Sequence, residues 1–287
     1  MAHSFKLEEA YIRQFVAEAL QEDVGSGDIT SLACIAADSR DNAVLKVKDD
    51  GVLAGVELAQ HIFQYVDPTS VMNVLIQDGS SVSFGDIAFE VECNTRALLQ
   101  AERLVLNCMQ RMSGIATLSN RYLFEIEDLP VKILDTRKTT PLFRYFEKWA
   151  VHLGGCMNYR DGLYDWFMIK DNHVEACGSI RNAIEQVDAY KKANQMEHFG
   201  VTVEVRNLVE VYEAIETGKI TRIMFDNFEL PILLEGVAIV AKRYETEASG
   251  GVNIHTIRKI AQSGVDFISV GALTHAAQSL DLSLKVV

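Results

Sequence analysis

The sequence lacks the features of several classes of protein. None of its apolar runs reaches the length of about 18 residues that a bilayer-spanning helix needs, and its first nine residues contain no apolar core of a signal peptide. Its five cysteines are odd in number and include no C-x-x-C pair, so neither a disulfide framework nor a structural zinc site is predicted. We therefore expect a cytoplasmic protein with reduced cysteines and no membrane partner.

Positive charge is also scarce. The chain has 27 basic and 40 acidic residues, and its net charge of −13 would repel a nucleic acid. The basic residues nevertheless concentrate in one stretch, between positions 134 and 173: Arg137, Lys138, Arg144, Lys148, Arg160 and Lys170. A local basic cluster in an acidic chain predicts a small anionic substrate that carries carboxylates or phosphates.

The N-terminal part of the chain has the pattern of an α+β unit. The spacing of apolar residues predicts helices over residues 12–20, 56–65 and 95–113, and Gly114 would end the third helix. Short β-like runs occupy residues 43–48, 71–77 and 87–93.

After Pro130 the sequence alternates between short apolar runs and helical stretches, which predicts a parallel sheet, open or closed into a barrel. Six such runs occupy residues 131–134, 166–169, 201–205, 222–225, 244–248 and 267–270. Polar or glycine residues stand at their C-terminal ends: Asp135 with Arg137 and Lys138, then Lys170, Glu204, Asp226, Ser249-Gly250-Gly251 and Gly271. Because these ends meet at one face of a parallel α/β barrel, we expect them to form one pocket.

The residue types at these ends suggest what the pocket would bind. Glu204 and Asp226 could hold Mg²⁺ while phosphates of the substrate complete its shell. The Ser-Gly-Gly turn, which would lead into a helix near Asn253, and Gly271 both suit a phosphate at a helix N-terminus. The arginines and lysines would bind carboxylates.

Some of these residues have alternative roles. Arg144 and Lys148 are four positions apart and also fit the solvated face of a helix. Lys170 fits a Schiff-base lysine, as in barrel aldolases, about as well as it fits anion binding. For His173, a hydrogen-bonded structural role is favoured over a role as ligand or base.

Seven short motifs occur along the chain. They are EDVGSGDIT at residues 22–30, ER to SGIAT at 102–117, DTRKTTP at 135–141, KDNH at 170–173, FDNF at 225–228, EASGG at 247–251 and GALTH at 271–275. In kind and in order they resemble those of the quinolinate phosphoribosyltransferase family, and the resemblance covers nearly the whole chain.

The resemblance implies a reaction and an α/β fold. Quinolinate and 5-phosphoribosyl pyrophosphate would give nicotinate mononucleotide, carbon dioxide and pyrophosphate, a step of de novo NAD synthesis. An N-terminal α/β sandwich domain (1–114, joined by 275–287) would accompany an incomplete parallel α/β barrel of six strands (115–274). The protein would be a homodimer with shared active sites, and assembly beyond the dimer is left open.

The resemblance also implies roles for individual residues. Quinolinate would contact Thr136, Arg137, Tyr159, Arg160 and Lys170, together with Arg103 of the partner subunit. The phosphoribosyl donor would contact Lys138, Glu204, Asp226, Ser249, Gly250, Gly251, Val270, Gly271 and Ala272. The catalytic residues would be Lys138, Glu204 and Asp226, of which the two acids would hold Mg²⁺ partly through substrate and water.

Three positions depart from the family pattern. Tyr159 stands where the family usually has histidine, and Leu142 stands where a glycine is usual. The strand that often carries Glu-x-Glu has Thr202 before Glu204, and we take Glu204 as the retained acid. A phenol is a different donor from an imidazole, so contact between Tyr159 and the substrate is left open.

Other functions remain as alternatives. A phosphoribosyltransferase for a monoacid such as nicotinate would leave part of the cationic cluster buried and unpaired. A non-catalytic phosphosugar-binding relative would bind the donor without releasing pyrophosphate. A Schiff-base aldolase would use Lys170 as its nucleophile.

Overall fold

The computed structural model describes residues 8–287, which form two compact units. Unit 1 contains the chain up to Asn120 together with Thr140–Gly155 and Ala277–Val287, and unit 2 contains Arg121–Thr139 and Cys156–Ala276. The C-terminal segment therefore belongs to unit 1. Residues 140–155 also belong to unit 1, whereas the predicted domain boundaries placed them with the barrel.

The elements alternate between helices and strands along the chain. Up to Phe124 they are α1 (Glu9–Val24), α2 (Ile29–Cys34), β1 (Arg40–Val47), β2 (Gly51–Val52), α3 (Val56–Val66), β3 (Val71–Val74), β4 (Ser81–Val82), β5 (Ile87–Asn94) and α4 (Thr95–Phe124). The remaining elements are β6 (Lys132–Leu134), α5 (Arg144–Leu153), β7 (Phe167–Ile169), α6 (Asp171–Cys177), α7 (Ile180–Ala193), β8 (Val201–Val205), α8 (Leu208–Thr217), β9 (Arg222–Asp226), α9 (Leu230–Val240), β10 (Glu245–Ser249), α10 (Ile257–Ala261), β11 (Phe267–Ser269), α11 (Ala272–His275) and β12 (Leu282–Val286).

Unit 1 is built on an antiparallel sheet with the strand order β12-β1-β5-β3, and β2 pairs separately with β4. Alternate residues of β1 point into the core, where Ala43, Leu45 and Val47 are fully buried. Helix α1 packs on α5 through the rings of Phe15 and Phe146, whose centroids are 4.5 Å apart. The α/β character predicted for the N-terminal part is confirmed.

Helix α4 is longer than the sequence predicted. It does not end at Gly114 but continues to Phe124. A Cβ atom at position 114 would lie 1.9 Å from the carbonyl oxygen of Gln278, so a side chain there would collide with the C-terminal segment. Gly114 therefore serves a close approach of two backbones and not the termination of a helix.

The prediction of a solvated face for α5 was wrong for Lys148. This side chain is only 2% exposed, and its neighbour Glu147 is fully buried. Glu147 accepts two hydrogen bonds from Arg111, at 3.0 and 2.9 Å, and one of 2.8 Å from the Thr140 hydroxyl. The buried face of α5 thus carries a satisfied ionic cluster of unit 1.

Unit 2 is built on six parallel strands in the order β6-β11-β10-β9-β8-β7. Helices follow β7 to β11 in the chain, as expected for right-handed βα connections. In the described part of the chain no ladder joins the outer strands β6 and β7, so the barrel stays incomplete, as predicted. All six carboxyl ends lie at one edge of the sheet.

In the described residues no helix is both long enough and apolar enough to cross a membrane.

Candidate active site at the carboxyl ends of the barrel strands

A cavity of about 820 Å³ opens at the carboxyl ends of the strands of unit 2. Residues from the ends of all six strands or from the segments that follow them line it: Thr136, Arg137, Lys138, Tyr159, Arg160, Met168, Lys170, Glu204, Met224, Asp226, Asn227, Ser249, Gly250, Gly251, Val252, Ser269, Gly271, Ala272 and His275. The expected convergence of strand ends on one pocket is therefore what the structure shows.

Two of the predicted site residues do not line this cavity. Val270 follows β11 and is 1% exposed, so its side chain is part of the core. Arg103 lies on α4 in unit 1, where it is exposed and makes no ion pair with any described residue. Its predicted role in the active site of a partner subunit stays a prediction.

Three cationic side chains of the cavity have no close carboxylate partner among the described residues. Arg137, Lys138 and Arg160 form no ion pair with a carboxylate in residues 8–287, and the buried Nε of Arg137 has no hydrogen-bond partner there. Burial and the neighbouring Arg137 lower the pKa of Arg160. A buried donor without an acceptor in this part of the chain, next to a second cation without an ion pair, is the arrangement that an anionic ligand would complete.

Asp135, at the end of β6, positions this cationic group without lining the cavity. Its carboxylate is fully buried and accepts hydrogen bonds from Asn158 Nδ2 at 2.7 Å and from the backbone N–H of Tyr159 at 2.8 Å. The segment that carries Arg160 is thereby fixed to the end of the strand that precedes Arg137.

Lys170 and Glu204 form an ion pair across the ends of β7 and β8. Glu204 is 9% exposed, and the lysine side chain is 43% exposed. Because a carboxylate engages the side-chain nitrogen of Lys170, the pairing argues for a role in charge–charge binding and against the Schiff-base alternative. His173 has the structural role that was favoured for it, because its Nδ1 accepts the backbone N–H of Lys170 at 3.0 Å.

The loop after β10 has a backbone that only glycine accommodates well. Gly250 has φ +90°, and a Cβ there would lie 2.3 Å from the side-chain oxygen of Asn227. Asn227 itself adopts a left-handed φ of 54° and donates its backbone N–H to the carbonyl of Ser249 at 2.8 Å. The N–H groups of Gly250 and Gly251 have no acceptor in the described chain, so they can donate to a phosphate.

The helix expected near Asn253 begins later. Residues 253–256 form a turn closed by the bond from the Thr256 N–H to the Asn253 carbonyl, and α10 starts at Ile257. The open N–H groups after β10 therefore belong to a loop and not to a helix N-terminus.

A second glycine brings two polar side chains together at the end of β11. A Cβ at Gly271 would lie 3.0 Å from Lys138 Cδ and 3.3 Å from His275 Nε2. The hydroxyl of Thr274 donates to the carbonyl of Lys138 at 2.8 Å. His275 and Asn227 had no predicted role, although both fall within the family motifs, because their types alone give no signal that they face a pocket.

The acidic residues fit Mg²⁺ only together with a bound diphosphate. Within residues 8–287 no group of three or more His, Cys, Asp or Glu side chains could hold a metal. Glu204 and Asp226 line the same cavity, at the ends of the neighbouring strands β8 and β9. Two carboxylates suit Mg²⁺ when phosphate oxygens and water supply its other ligands.

Comparison with known proteins agrees with this arrangement. The family model described as "Quinolinate phosphoribosyl transferase, N-terminal domain" matches residues 28–113, and the corresponding C-terminal model matches residues 115–285. The chain is 46% identical over 283 residues to the chloroplastic "Nicotinate-nucleotide pyrophosphorylase [carboxylating]" of Arabidopsis thaliana, covering 93% of this chain and 80% of that protein. It is 39% identical to the probable enzyme of that name from Bacillus subtilis, covering 92% of this chain and 90% of the relative.

Solved structures give the same result for the fold. The crystal structure of NadC from Streptococcus pyogenes superposes with a TM-score of 0.92 at 37% identity and covers 99% of this chain and 100% of its own. The nicotinate-nucleotide pyrophosphorylase of Francisella tularensis gives a TM-score of 0.91 at 36% identity, covering 99% of this chain and 98% of its own. Human nicotinic acid phosphoribosyltransferase, with a TM-score of 0.61 and 12% identity over 95% of this chain and 73% of its own, shares the fold alone.

Proposed function

This chain belongs to the quinolinate phosphoribosyltransferase family, and we propose that the cavity of unit 2 carries out that family's reaction with the residues assigned below. Quinolinate and 5-phosphoribosyl pyrophosphate react to nicotinate mononucleotide, carbon dioxide and pyrophosphate in de novo NAD synthesis. The assignment of residues rests on one observation. Arg137 and Arg160 are neighbouring cationic side chains that form no ion pair with a carboxylate in the described chain.

The cationic cluster would bind the two carboxylates of quinolinate. Arg137 and Arg160 supply planar guanidinium groups, which match a carboxylate with two parallel hydrogen bonds. Thr136 lies beside Arg137 in the cavity wall. Lys170 would exchange its ion pair with Glu204 for a substrate carboxylate, and Glu204 would then be available to the ribose of the donor. Binding of the acid would thus prepare the donor site.

The glycine loops would bind the phosphoribosyl donor. The open N–H groups of Gly250 and Gly251 suit the 5-phosphate, and Ser249 and the Gly271-Ala272 turn complete this side of the cavity. Lys138, which lies against Gly271, supplies a positive charge for the pyrophosphate. Asp226 and Glu204 would hold Mg²⁺, which when bound neutralises charge on the departing pyrophosphate.

In this reaction the protein supplies stabilising charges and holds the two substrates in orientation, and no side chain acts as a nucleophile. The pyridine nitrogen forms a bond to ribose C1 while the bond from C1 to the pyrophosphate oxygen breaks. The carboxylates of Glu204 and Asp226 favour the positive charge that develops at C1. Loss of carbon dioxide leaves its electron pair next to the cationic ring nitrogen, and a proton replaces it. Orientation alone can supply several kcal/mol of such a barrier, up to about 7–11 in intramolecular models.

Nicotinate is the less favourable acceptor for this site. A monoacid would occupy only part of the cluster and leave buried guanidinium groups unpaired, which costs binding energy. The assay that separates the functions measures pyrophosphate release with Mg²⁺ and the donor, offering quinolinate, nicotinate or no acceptor in parallel, with the product identified by mass. We expect nicotinate mononucleotide from quinolinate and its loss on chelation of Mg²⁺. Turnover of nicotinate at an equal rate, or donor binding without turnover, would overturn the proposal.

A shared active site is part of the same proposal. Arg103 is exposed on α4, and we assign Arg103 of the partner subunit to the quinolinate site of a homodimer. Arg103→Ala and Lys170→Ala would each be inactive, but mixed dimers would regain part of the activity because one of their two sites is intact. No recovery after verified subunit exchange would exclude the shared site. Light scattering would test the dimer itself.

A cytoplasmic location stays a prediction. Several plant relatives have "chloroplastic" or "mitochondrial" in their names, whereas the name of the Bacillus subtilis relative gives no organelle. Fractionation of the source cells with organelle markers would decide between these locations.

A further inference from the structure

Tyr159 lines the cavity, but its hydroxyl is hydrogen-bonded to a residue of unit 2 behind the cavity wall. The phenol oxygen lies 2.6 Å from the Thr202 hydroxyl, and Thr202 is fully buried. The carboxylate of Glu247, which is also fully buried, acts electrostatically on the same phenol. The hydrogen bond of the phenol oxygen is thus made with a buried hydroxyl of unit 2.

The directions of these hydrogen bonds follow from the groups involved. The indole of Trp166 can only donate, and its Nε1 lies 2.9 Å from the Thr202 oxygen. The Thr202 proton is then available to the oxygen of Tyr159. Burial, and after it the neighbouring Glu247, raises the pKa of Tyr159, which keeps the phenol protonated. In this order the buried Thr202 hydroxyl both accepts and donates a hydrogen bond.

Further contacts immobilise the ring of Tyr159. The Arg222 guanidinium lies over it at 5.0 Å from the centroid and donates to Glu247 at 3.1 Å. Ser269 donates a hydrogen bond of 2.5 Å to the same carboxylate. The ring of Trp166 lies edge-on with its centroid 6.3 Å away. The phenol is therefore a fixed wall and not a mobile side chain.

This wall is connected to the substrate-binding arginine that follows it. Arg160 donates to the backbone carbonyl of Trp166 at 3.2 Å, and Trp166 is the residue whose indole begins the hydrogen-bond series. The backbone N–H of Tyr159 is fixed to Asp135. If the ring of Tyr159 moved, the guanidinium of Arg160 would therefore move with it.

Two of the three departures from the family pattern meet at this point. The usual histidine is replaced by Tyr159 and the usual first acid of Glu-x-Glu by Thr202, and these two residues, 43 positions apart, are in direct hydrogen-bond contact. We propose that Tyr159 and Thr202 are one coupled positioning pair, which replaces a donor to the substrate by a rigid wall and holds Arg160 in place for the carboxylate of the pyridine acid. The assignment of that acid rests on the proposed function.

Physical reasons make each replacement depend on the other. Glutamate at position 202 would add a second buried carboxylate to the group that contains Tyr159, Arg222 and Glu247, where Arg222 already pairs with Glu247. Histidine at position 159 is shorter than tyrosine and would leave the buried Thr202 hydroxyl without its acceptor. The long tyrosine side chain thus fits only beside a short residue such as threonine, and the buried threonine hydroxyl depends on the phenol for its hydrogen bond.

A double-mutant cycle on the full-length enzyme tests the pair. Tyr159→Phe and Thr202→Val each remove one partner of the same bond with little change of shape, so each should raise the KM for quinolinate about five- to twenty-fold. The double variant should be no worse than the poorer single one, because both remove the same interaction. The value of kcat and the KM for the donor should change less than about twofold. Tyr190→Phe, an exposed phenol of the same unit, is the matched control.

A second variant keeps the test decisive if hydrogen-bond removal weakens folding. Tyr159→His with Thr202→Glu should recover quinolinate affinity relative to Tyr159→His alone, and its affinity should gain a dependence on pH near 6.5, where an imidazole ordinarily titrates. Additive losses in the cycle, an unchanged KM for quinolinate, or equal affinity of the single and double histidine variants would each overturn the coupling. If the unaltered enzyme gave no product from quinolinate, the proposed function would fail instead.

Discussion

Replacing Arg137 with lysine changes the substrate site while keeping its charge. The Nε of Arg137 is buried and has no acceptor in the described chain, so in the free enzyme this guanidinium is not fully satisfied. Lysine has no planar fork and reaches a carboxylate as a single point charge. Arg137→Lys should therefore weaken quinolinate binding, although the net charge of the cavity stays the same.

The size of the effect follows from the bonds that are lost. Lysine would forfeit at least one charge-assisted hydrogen bond to the carboxylate, and such bonds contribute about 1.5–3 kcal/mol each. At about 1.4 kcal/mol for each factor of ten, the Kd for quinolinate should rise about 10- to 150-fold. The Kd for 5-phosphoribosyl pyrophosphate should stay within about twofold, because in the proposed site the glycine loops would hold its 5-phosphate.

Isothermal titration calorimetry with quinolinate, and separately with the donor, measures both constants. Arg181→Lys is the matched control, since Arg181 is on α7 and pairs with Glu216 at the surface. An unchanged Kd for quinolinate, or an equal loss for both ligands, would refute the assignment of Arg137 to the pyridine acid.

Three further predictions test other parts of the structure. Gly250→Ala should raise the KM for the donor at least about tenfold and lower the free energy of unfolding in urea by about 1–3 kcal/mol. The reason is that position 250 has a φ of +90° and the new Cβ would collide with Asn227. Unchanged donor kinetics would contradict this prediction. Glu147→Ala should cost about 1–3 kcal/mol of unfolding free energy, since it removes the fully buried acceptor of hydrogen bonds from Arg111 and Thr140, and a loss below about 0.5 kcal/mol would be inconsistent with the ionic cluster. At pH 8 a thiol reagent should modify the exposed Cys34 but not Cys108, because burial raises the pKa of the Cys108 thiol to about 12. Rapid labelling of Cys108 in the folded protein would show that this thiol is not buried.

The barrel and its pocket were predictable because their signals are local and repeated. Each β run ends with a polar or glycine residue, and the geometry of parallel sheets brings such ends to one edge. Asp226 and Gly271 could thus be placed in one cavity although they are 45 positions apart. The family motifs then supplied an expected chemical role for each.

Features that depend on tertiary contacts were not predictable. Gly114 is indistinguishable from a helix terminator until the backbone of Gln278 is seen beside it. Lys148 has the i, i+4 spacing of a solvated helix face, and only packing within unit 1 shows that it is buried. The contact of Tyr159 with Thr202 joins the segment between α5 and β7 to β8. Both departures from the family pattern were visible in the sequence, but their contact was not.

The most direct test of the account is the fate of the 2-carboxylate of quinolinate. The purified enzyme would be given quinolinate labelled with ¹³C at that carboxylate, the phosphoribosyl donor and Mg²⁺, and labelled carbon dioxide, pyrophosphate and nicotinate mononucleotide would be quantified together. We expect equal amounts of all three products and no labelled nucleotide. Release of pyrophosphate with retention of the label, or no release at all, would contradict it.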